Sequence, residues 1–133
     1  MAFMEKAEAA EAQIAELKEK DAEGNAYAMA EMRRRLGFEF NGMRMHEYYF
    51  TQFEGGAKVP NGEGSLAKAA TEKYGGWENF IAHIKEVAGT RGIGWVVVYA
   101  DPTANTLHTT FVADHELGQL AGLPIILALD MWE

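Results

Sequence analysis

An apolar run of Leu123, Ile125, Ile126, Leu127 and Leu129 stops at Asp130, and Met131, Trp132 and Glu133 follow it. The run reads as a fully buried strand, which places Asp130 at the mouth of a core strand, where an uncompensated carboxylate is costly. A metal ion, a buried cation or a set of backbone donors would each offset that cost. Four histidines supply the other candidate donors. His46 shares a predicted helix face with Met43, Phe50 and Phe53, the setting of a core histidine as much as of a ligand. His115, in Ala113-Asp114-His115-Glu116-Leu117-Gly118, follows a predicted strand and by itself reads as an exposed loop residue. His83 falls in an ordinary helix, and His108 sits in a strand where alternation allows it to face outward. Without any cysteine, a metal must be held by imidazole and carboxylate, which excludes zinc fingers and iron-sulfur clusters.

The elements that position these groups follow from periodicity. Phe3, Ala7, Ala10, Ile14 and Leu17 repeat at helical spacing in a segment rich in Ala, Glu, Lys and Gln, which predicts an amphipathic helix over 3–20. Asp21-Ala22-Glu23-Gly24-Asn25 breaks it, and a second helix is expected over 26–53, interrupted or bent near Gly37 and Gly42. The short break makes the two helices an antiparallel hairpin. Gly55-Gly56 and Pro60-Asn61-Gly62-Glu63-Gly64 mark a linker. Ser65 then reads as the N-cap of a helix to about Lys73, and Trp77 to Val87 as another, with Trp77, Phe80, Ile81 and Ile84 on its apolar side. Segments 94–99 and 107–112 flank Asp101-Pro102-Thr103-Ala104-Asn105 as a β-hairpin, and 123–129 is a third strand. Helices first and strands later predict an α+β fold: a helical hairpin over 1–54, a linker over 55–64, and a C-terminal domain over 65–133 with a three-stranded antiparallel sheet.

Composition narrows the partners. A formal charge of −8 argues against nucleic acid, because neutralising phosphates needs a basic face. The basic cluster Arg33-Arg34-Arg35 points three ways around a helix and reads as a solvated, salt-bridged patch. No apolar run approaches the roughly 20 residues that cross a bilayer, and Met-Ala-Phe-Met-Glu-Lys lacks the layout of a signal peptide. No membrane association and a cytoplasmic location are therefore expected. The methionines, Met29, Met32, Met43 and Met45 among them, read as core filler.

Three ordered segments resemble the iron/manganese superoxide dismutases. Asp130-Met131-Trp132-Glu133 resembles the family's signature of a metal-binding Asp, one residue and Trp-Glu, which in the family continues into a metal-binding His. Phe40-Asn41-Gly42-Met43-Arg44-Met45-His46-Glu47-Tyr48-Tyr49-Phe50 resembles the helix that carries the second metal His, and Gly92-Ile93-Gly94-Trp95 resembles the Gly-x-Gly-Trp strand start. The resemblance covers most of the chain from about Leu36 onward. It implies that His46 and Asp130 are metal ligands and that His115 is the outer residue bonded to the metal-bound solvent, a bond that tunes proton affinity and redox potential. It implies further that Tyr49, Trp95 and Trp132 wall a dry aromatic pocket, and that Glu133 bonds across a dimer interface to the partner's metal His.

What the resemblance implies about activity is dismutation of superoxide to dioxygen and hydrogen peroxide, with iron or manganese, one per subunit, in a homodimer or higher homo-oligomer. Iron and manganese use the same ligands and are not distinguished. The family uses three His and one Asp, and the chain matches His46 and Asp130. The other two histidines and a gating Tyr would fall at or before Met1 to Phe3 and directly after Glu133, so a chain trimmed at both ends is expected. The alternative is a dismutase-like fold without a competent site that acts as an interaction or assembly module. A third arrangement, in which Glu47, Glu133 or His115 completes an unusual site, has no support from spacing.

Overall fold

The alanines that repeat along the first helix do become its packed side: Ala7 and Ala10 are buried, Ile14 and Leu17 are half-buried, and the Glu and Lys residues between them face solvent. A computed structural model describes residues 2–58 and 62–132. It contains α1 (Ala2–Asp21), α2 (Ala26–Thr51), α3 (Ser65–Tyr74), α4 (Trp77–Ala88), β1 (Gly94–Asp101), β2 (Thr106–Ala113) and β3 (Ile125–Asp130). The described chain is thus α+β, helices first and an open three-stranded antiparallel sheet after them.

The chain forms two compact units, Met1–Glu47 and Tyr48–Glu133. In the first, Asp21 ends α1, where its Oδ1 accepts the Gly24 N–H at 3.0 Å, and the Asn25 side chain donates to the Leu17 carbonyl at 3.0 Å. These bonds satisfy groups that the end of a helix leaves open. Across α1 and α2, the nearly inaccessible Glu39 carboxylate receives Arg35 at 3.0 Å and lies 4.0 Å from Lys6. The expected interruption of the second helix does not occur, because α2 is continuous through Gly37 and Gly42. A glycine costs a helix interior only about 1 kcal/mol, which tertiary packing overrides, and Gly42 is itself buried.

In the second unit the sheet order is β2-β1-β3, so β1 is central. Val96 and Val98 point to one face and pack with Ala70, Phe80, Ile84 and Leu107 under α3 and α4. Trp95, Val97 and Tyr99 point to the other face, and both sets are essentially inaccessible. A central strand buried on both sides explains the unbroken Val run. Ser65 is the first residue of α3 and not its cap; Gly64 occupies that position without a side-chain bond. β3 also differs from the fully buried strand expected of its sequence: it is an edge strand, and Ile126 is 37% exposed.

Candidate metal centre

Gly94 starts β1 at φ 155°, a region L-residues with side chains avoid, and a Cβ there would lie 1.9 Å from the Val112 carbonyl oxygen. That close approach draws three chain segments together. Met131 N–H donates to the Gly94 carbonyl at 2.8 Å, and Asp114 N–H donates to the Ile93 carbonyl at 2.9 Å. The register then sets Val112, Trp95 and Asp130 side by side across the sheet. Directly opposed residues of antiparallel strands share a face, so all three project to the side away from α3 and α4.

Asp130 is half-buried, and its Oδ1 accepts the Trp132 N–H at 3.0 Å. That bond fixes the carboxylate and turns the chain so that the Trp132 ring lies 4.9 Å from the His115 ring. His115 is 2% exposed, in contrast to the exposed loop residue that its position after β2 predicts. The cause is a tight turn: Asp114 has φ 54°, and Ala113 N–H donates to the Leu117 carbonyl at 2.8 Å, which folds the loop back and sends His115 inward. Its ring centroid is 6.2 Å from that of Trp95, which in turn is 5.9 Å from that of Tyr49. Asp130, Trp132, His115, Trp95 and Tyr49 therefore gather at one end of the sheet.

His46 belongs to the first unit. It is half-buried on α2, and its Nδ1 lies 2.6 Å from the Gly42 carbonyl one turn back. A carbonyl only accepts, so Nδ1 donates this bond, and a metal would have to be met by Nε2. The apolar helix face predicted around it is not closed, since Phe50 and Phe53 are 63% and 59% exposed. Glu133 lies outside the described residues. Among the described residues no group of three or more His, Cys, Asp and Glu side chains is arranged to hold a metal ion. In kind, the imidazole of His46 and the carboxylate of Asp130 fit iron or manganese.

One positioning residue escapes the sequence reading. Gln52, just past α2, accepts the Ala128 N–H at 2.6 Å through Oε1 and donates to the Ala128 carbonyl at 2.7 Å through Nε2. Its amide stands in for a rung of a further strand on the β3 edge and fixes the strand two residues before Asp130. A glutamine after a helix otherwise reads as surface, so only the fold reveals it. A cleft of ≈ 480 Å³ lies elsewhere, against Lys68, Glu72, Asp101, Asn105 and Pro124, and none of the candidate residues lines it. No helix among the described residues is long and apolar enough to cross a membrane.

Comparison with known proteins places the chain. Residues 62–133 match the family of iron/manganese superoxide dismutases, C-terminal domain. A manganese superoxide dismutase of Mycolicibacterium phlei is 32% identical over 123 residues, 90% of this chain and 87% of that protein. An iron superoxide dismutase of Sulfolobus acidocaldarius is 31% identical over 112 residues, 80% of this chain and 52% of that protein. A manganese enzyme of the same name from Haloferax volcanii is 32% identical over 127 residues, 94% of this chain and 60% of that protein. The chain thus spans little more than half the length of several relatives that it matches. With the family matched over more than half of its residues, the chain belongs to the iron/manganese superoxide dismutases.

Proposed function

We propose that the protein dismutates superoxide to dioxygen and hydrogen peroxide with a bound iron or manganese, one per subunit, and that His46 and Asp130 are two of its ligands. The observation that carries this reading is the grouping of Asp130, Trp132, Trp95 and buried His115 at one end of the sheet, in a chain of this family. The metal, when bound, supplies the chemistry of alternately accepting an electron from one superoxide and donating one to the next. Relatives bear the names of both metals, so the choice between them belongs to experiment.

The chain's own residues do the rest. His46 would meet the metal through Nε2, with Nδ1–H bonded to the Gly42 carbonyl, and Asp130 through its carboxylate, whose Oδ1 accepts the Trp132 N–H. His115 would hydrogen-bond solvent held by the metal and so tune its proton affinity, and its burial against indole rings would keep bulk water from competing for that bond. Trp95, Trp132 and Tyr49 are the wall that dries the site and strengthens its electrostatics. With a formal charge of −8, attraction of the superoxide anion is local to the site. We further propose a homodimer or higher homo-oligomer in which Glu133 crosses the interface.

The alternative, an interaction module without activity, draws on the absence of a three-donor group among the described residues. One pair of assays separates the two readings. Superoxide disproportionation and metal content are measured together in the parent and in Asp130→Ala and His46→Ala. Activity and metal that fall together in both variants support the enzyme. A parent that binds metal without activity, or binds none, supports the module.

A further inference from the structure

The rings at the Asp130 end form an unbroken series. Centroid separations run 4.9 Å from Trp132 to His115, 6.2 Å from His115 to Trp95 and 5.9 Å from Trp95 to Tyr49. Beyond Tyr49 the neighbouring rings are Phe50 and Phe53, at 5.5 and 5.0 Å, and both are largely exposed. The series therefore starts beside the Asp130 carboxylate, passes through a fully buried indole and ends at a half-buried phenol near solvent. A second aromatic cluster, under α3 and α4, has a different composition. There Tyr74 and Trp77 contact Phe80 at 5.3 and 5.4 Å, and Phe80 is the buried hub. Benzene rings resist one-electron oxidation, whereas indole and phenol undergo it, and in that cluster Phe80 lies between Trp77 and Tyr74, which stacks on His83 at 4.9 Å. The Asp130 series alternates oxidisable rings with a single imidazole, which is harder to oxidise and serves as a bridge between two indoles.

We propose that Trp132, His115, Trp95 and Tyr49 form a one-electron oxidation route that carries oxidising equivalents away from the metal site to the surface at Tyr49. The proposal rests on the reading of Asp130 as a metal ligand. The oxidant would be a one-electron species of the hydroxyl-radical class, formed together with hydroxide when a reduced metal held at the site gives one electron to hydrogen peroxide, the product of dismutation, and is itself oxidised by one electron. That oxidant is reduced to hydroxide by one electron taken from the Trp132 indole, and the hydroxide takes up a proton from solvent to leave as water. Trp132 is restored by an electron from Trp95 across His115, and Trp95 is restored by an electron from Tyr49. Tyr49 loses its phenolic proton to water and becomes a neutral tyrosyl radical. A soluble thiol or ascorbate then returns a hydrogen atom to it. The last transfer runs downhill at neutral pH, because loss of the phenolic proton stabilises the tyrosyl radical relative to an oxidised indole.

Two measurements test the route. In the first, which needs no metal, azide radicals generated by pulse radiolysis oxidise the indoles of a Trp77→Phe protein, so that only Trp95 and Trp132 respond. The expected result is an indolyl absorption that decays into a tyrosyl absorption at a rate independent of protein concentration, with that conversion lost in Trp77→Phe/Tyr49→Phe. A conversion that persists undiminished without the Tyr49 phenol, or one that scales with protein concentration, overturns the route. In the second, iron-loaded protein receives hydrogen peroxide with a nitroso spin trap, and the adduct is located by mass spectrometry. The adduct is expected on Tyr49 in the parent and on Trp95 or Trp132 in Tyr49→Phe; an adduct on neither Tyr49 nor these indoles overturns the proposal. Metal content is measured on the same samples. A protein that takes up neither iron nor manganese overturns the site reading, and the radiolysis result distinguishes that from a failure of the rings to conduct.

Discussion

The two ends of β1 each bring an aspartate and a histidine together, with opposite results. At the hairpin end, Asp101 Oδ2 and His108 Nε2 are 3.0 Å apart, and Asp101 Oδ1 accepts the Thr103 and Ala104 N–H groups, each at 3.0 Å. The two backbone bonds close an exposed turn, and the His108 bond beside them is part-buried. At the other end, the Asp130 carboxylate accepts the Trp132 N–H, and the His115 imidazole is packed beside two indoles at 2% exposure. The same residue types serve as turn closure where water competes and as candidate chemistry where aromatic rings exclude it. What separates the two is enclosure by rings and not the identity of the polar residue.

Trp95→Ala strikes the enclosure hardest. The side chain is inaccessible, and loss of a core Trp costs about 3–5 kcal/mol. Chemical denaturation is expected to show a drop of that order, with the Asp130 end losing its wall as well. A smaller effect is expected of Gln52→Ala, which strips both side-chain bonds from the Ala128 backbone on a buried stretch of edge strand. Leaving such groups without a partner costs about 1–3 kcal/mol, and amide exchange at Ala128 is expected to accelerate ahead of exchange at β1. If Ala128 exchanges at the parental rate in the variant, the glutamine does not hold the edge.

His115→Ala sharpens the functional half of the contrast. An outer residue that orients metal-bound solvent is worth roughly 10–100-fold in activity or metal affinity. The pH profile of any dismutation activity is expected to move as well, whereas a purely structural histidine would leave the profile in place. His108→Ala is expected to leave both activity and profile unchanged.

pH separates the ends further. The Ala104 N–H, followed by the His108 bond, holds the Asp101 carboxyl below the usual carboxylate range. A depressed value contributes stability that is full above the ordinary Asp pKa and is lost as the pH falls through the folded-state value, so acid loosens the hairpin turn. Burial raises the Tyr99 phenol above its ordinary value, against the opposing pull of its bonds with Leu120 and Thr110. A raised value contributes stability that is full below the unfolded pKa, about 10, and is lost as the pH rises through the folded value. Alkaline unfolding is therefore expected to be steeper in the parent than in Tyr99→Phe. The hairpin change, read as the effect of Asp101→Asn on the acid transition, is the smallest of these effects because the half-buried pair is still in reach of screening solvent.

Much of the fold is legible in the sequence for physical reasons. Ala7, Ala10, Ile14 and Leu17 fall on one face because the helical period is strict, and the Val96-Val97-Val98 run signals a strand covered on both sides. The edge position of β3 is not legible, since Ile125-Ile126-Leu127 has the composition of a central strand and its partner amide comes from Gln52, 76 residues earlier. The persistence of α2 through Gly37 and Gly42 reflects packing that overrides a small propensity cost. At the candidate site, Asp130 and Trp95 announce themselves by type and context. The burial of His115 depends instead on the left-handed backbone of Asp114 and on a turn closed by Leu117, neither of which leaves a pattern of side chains.

Metal content tests the central claim most directly. Iron and manganese are measured by elemental analysis in the purified parent and in Asp130→Ala, each after growth with both metals supplied. Near-stoichiometric metal in the parent, lost in the variant, is the predicted result. A parent without either metal, or an Asp130→Ala protein that retains its full complement, would contradict the assignment of Asp130 and with it the enzymatic account.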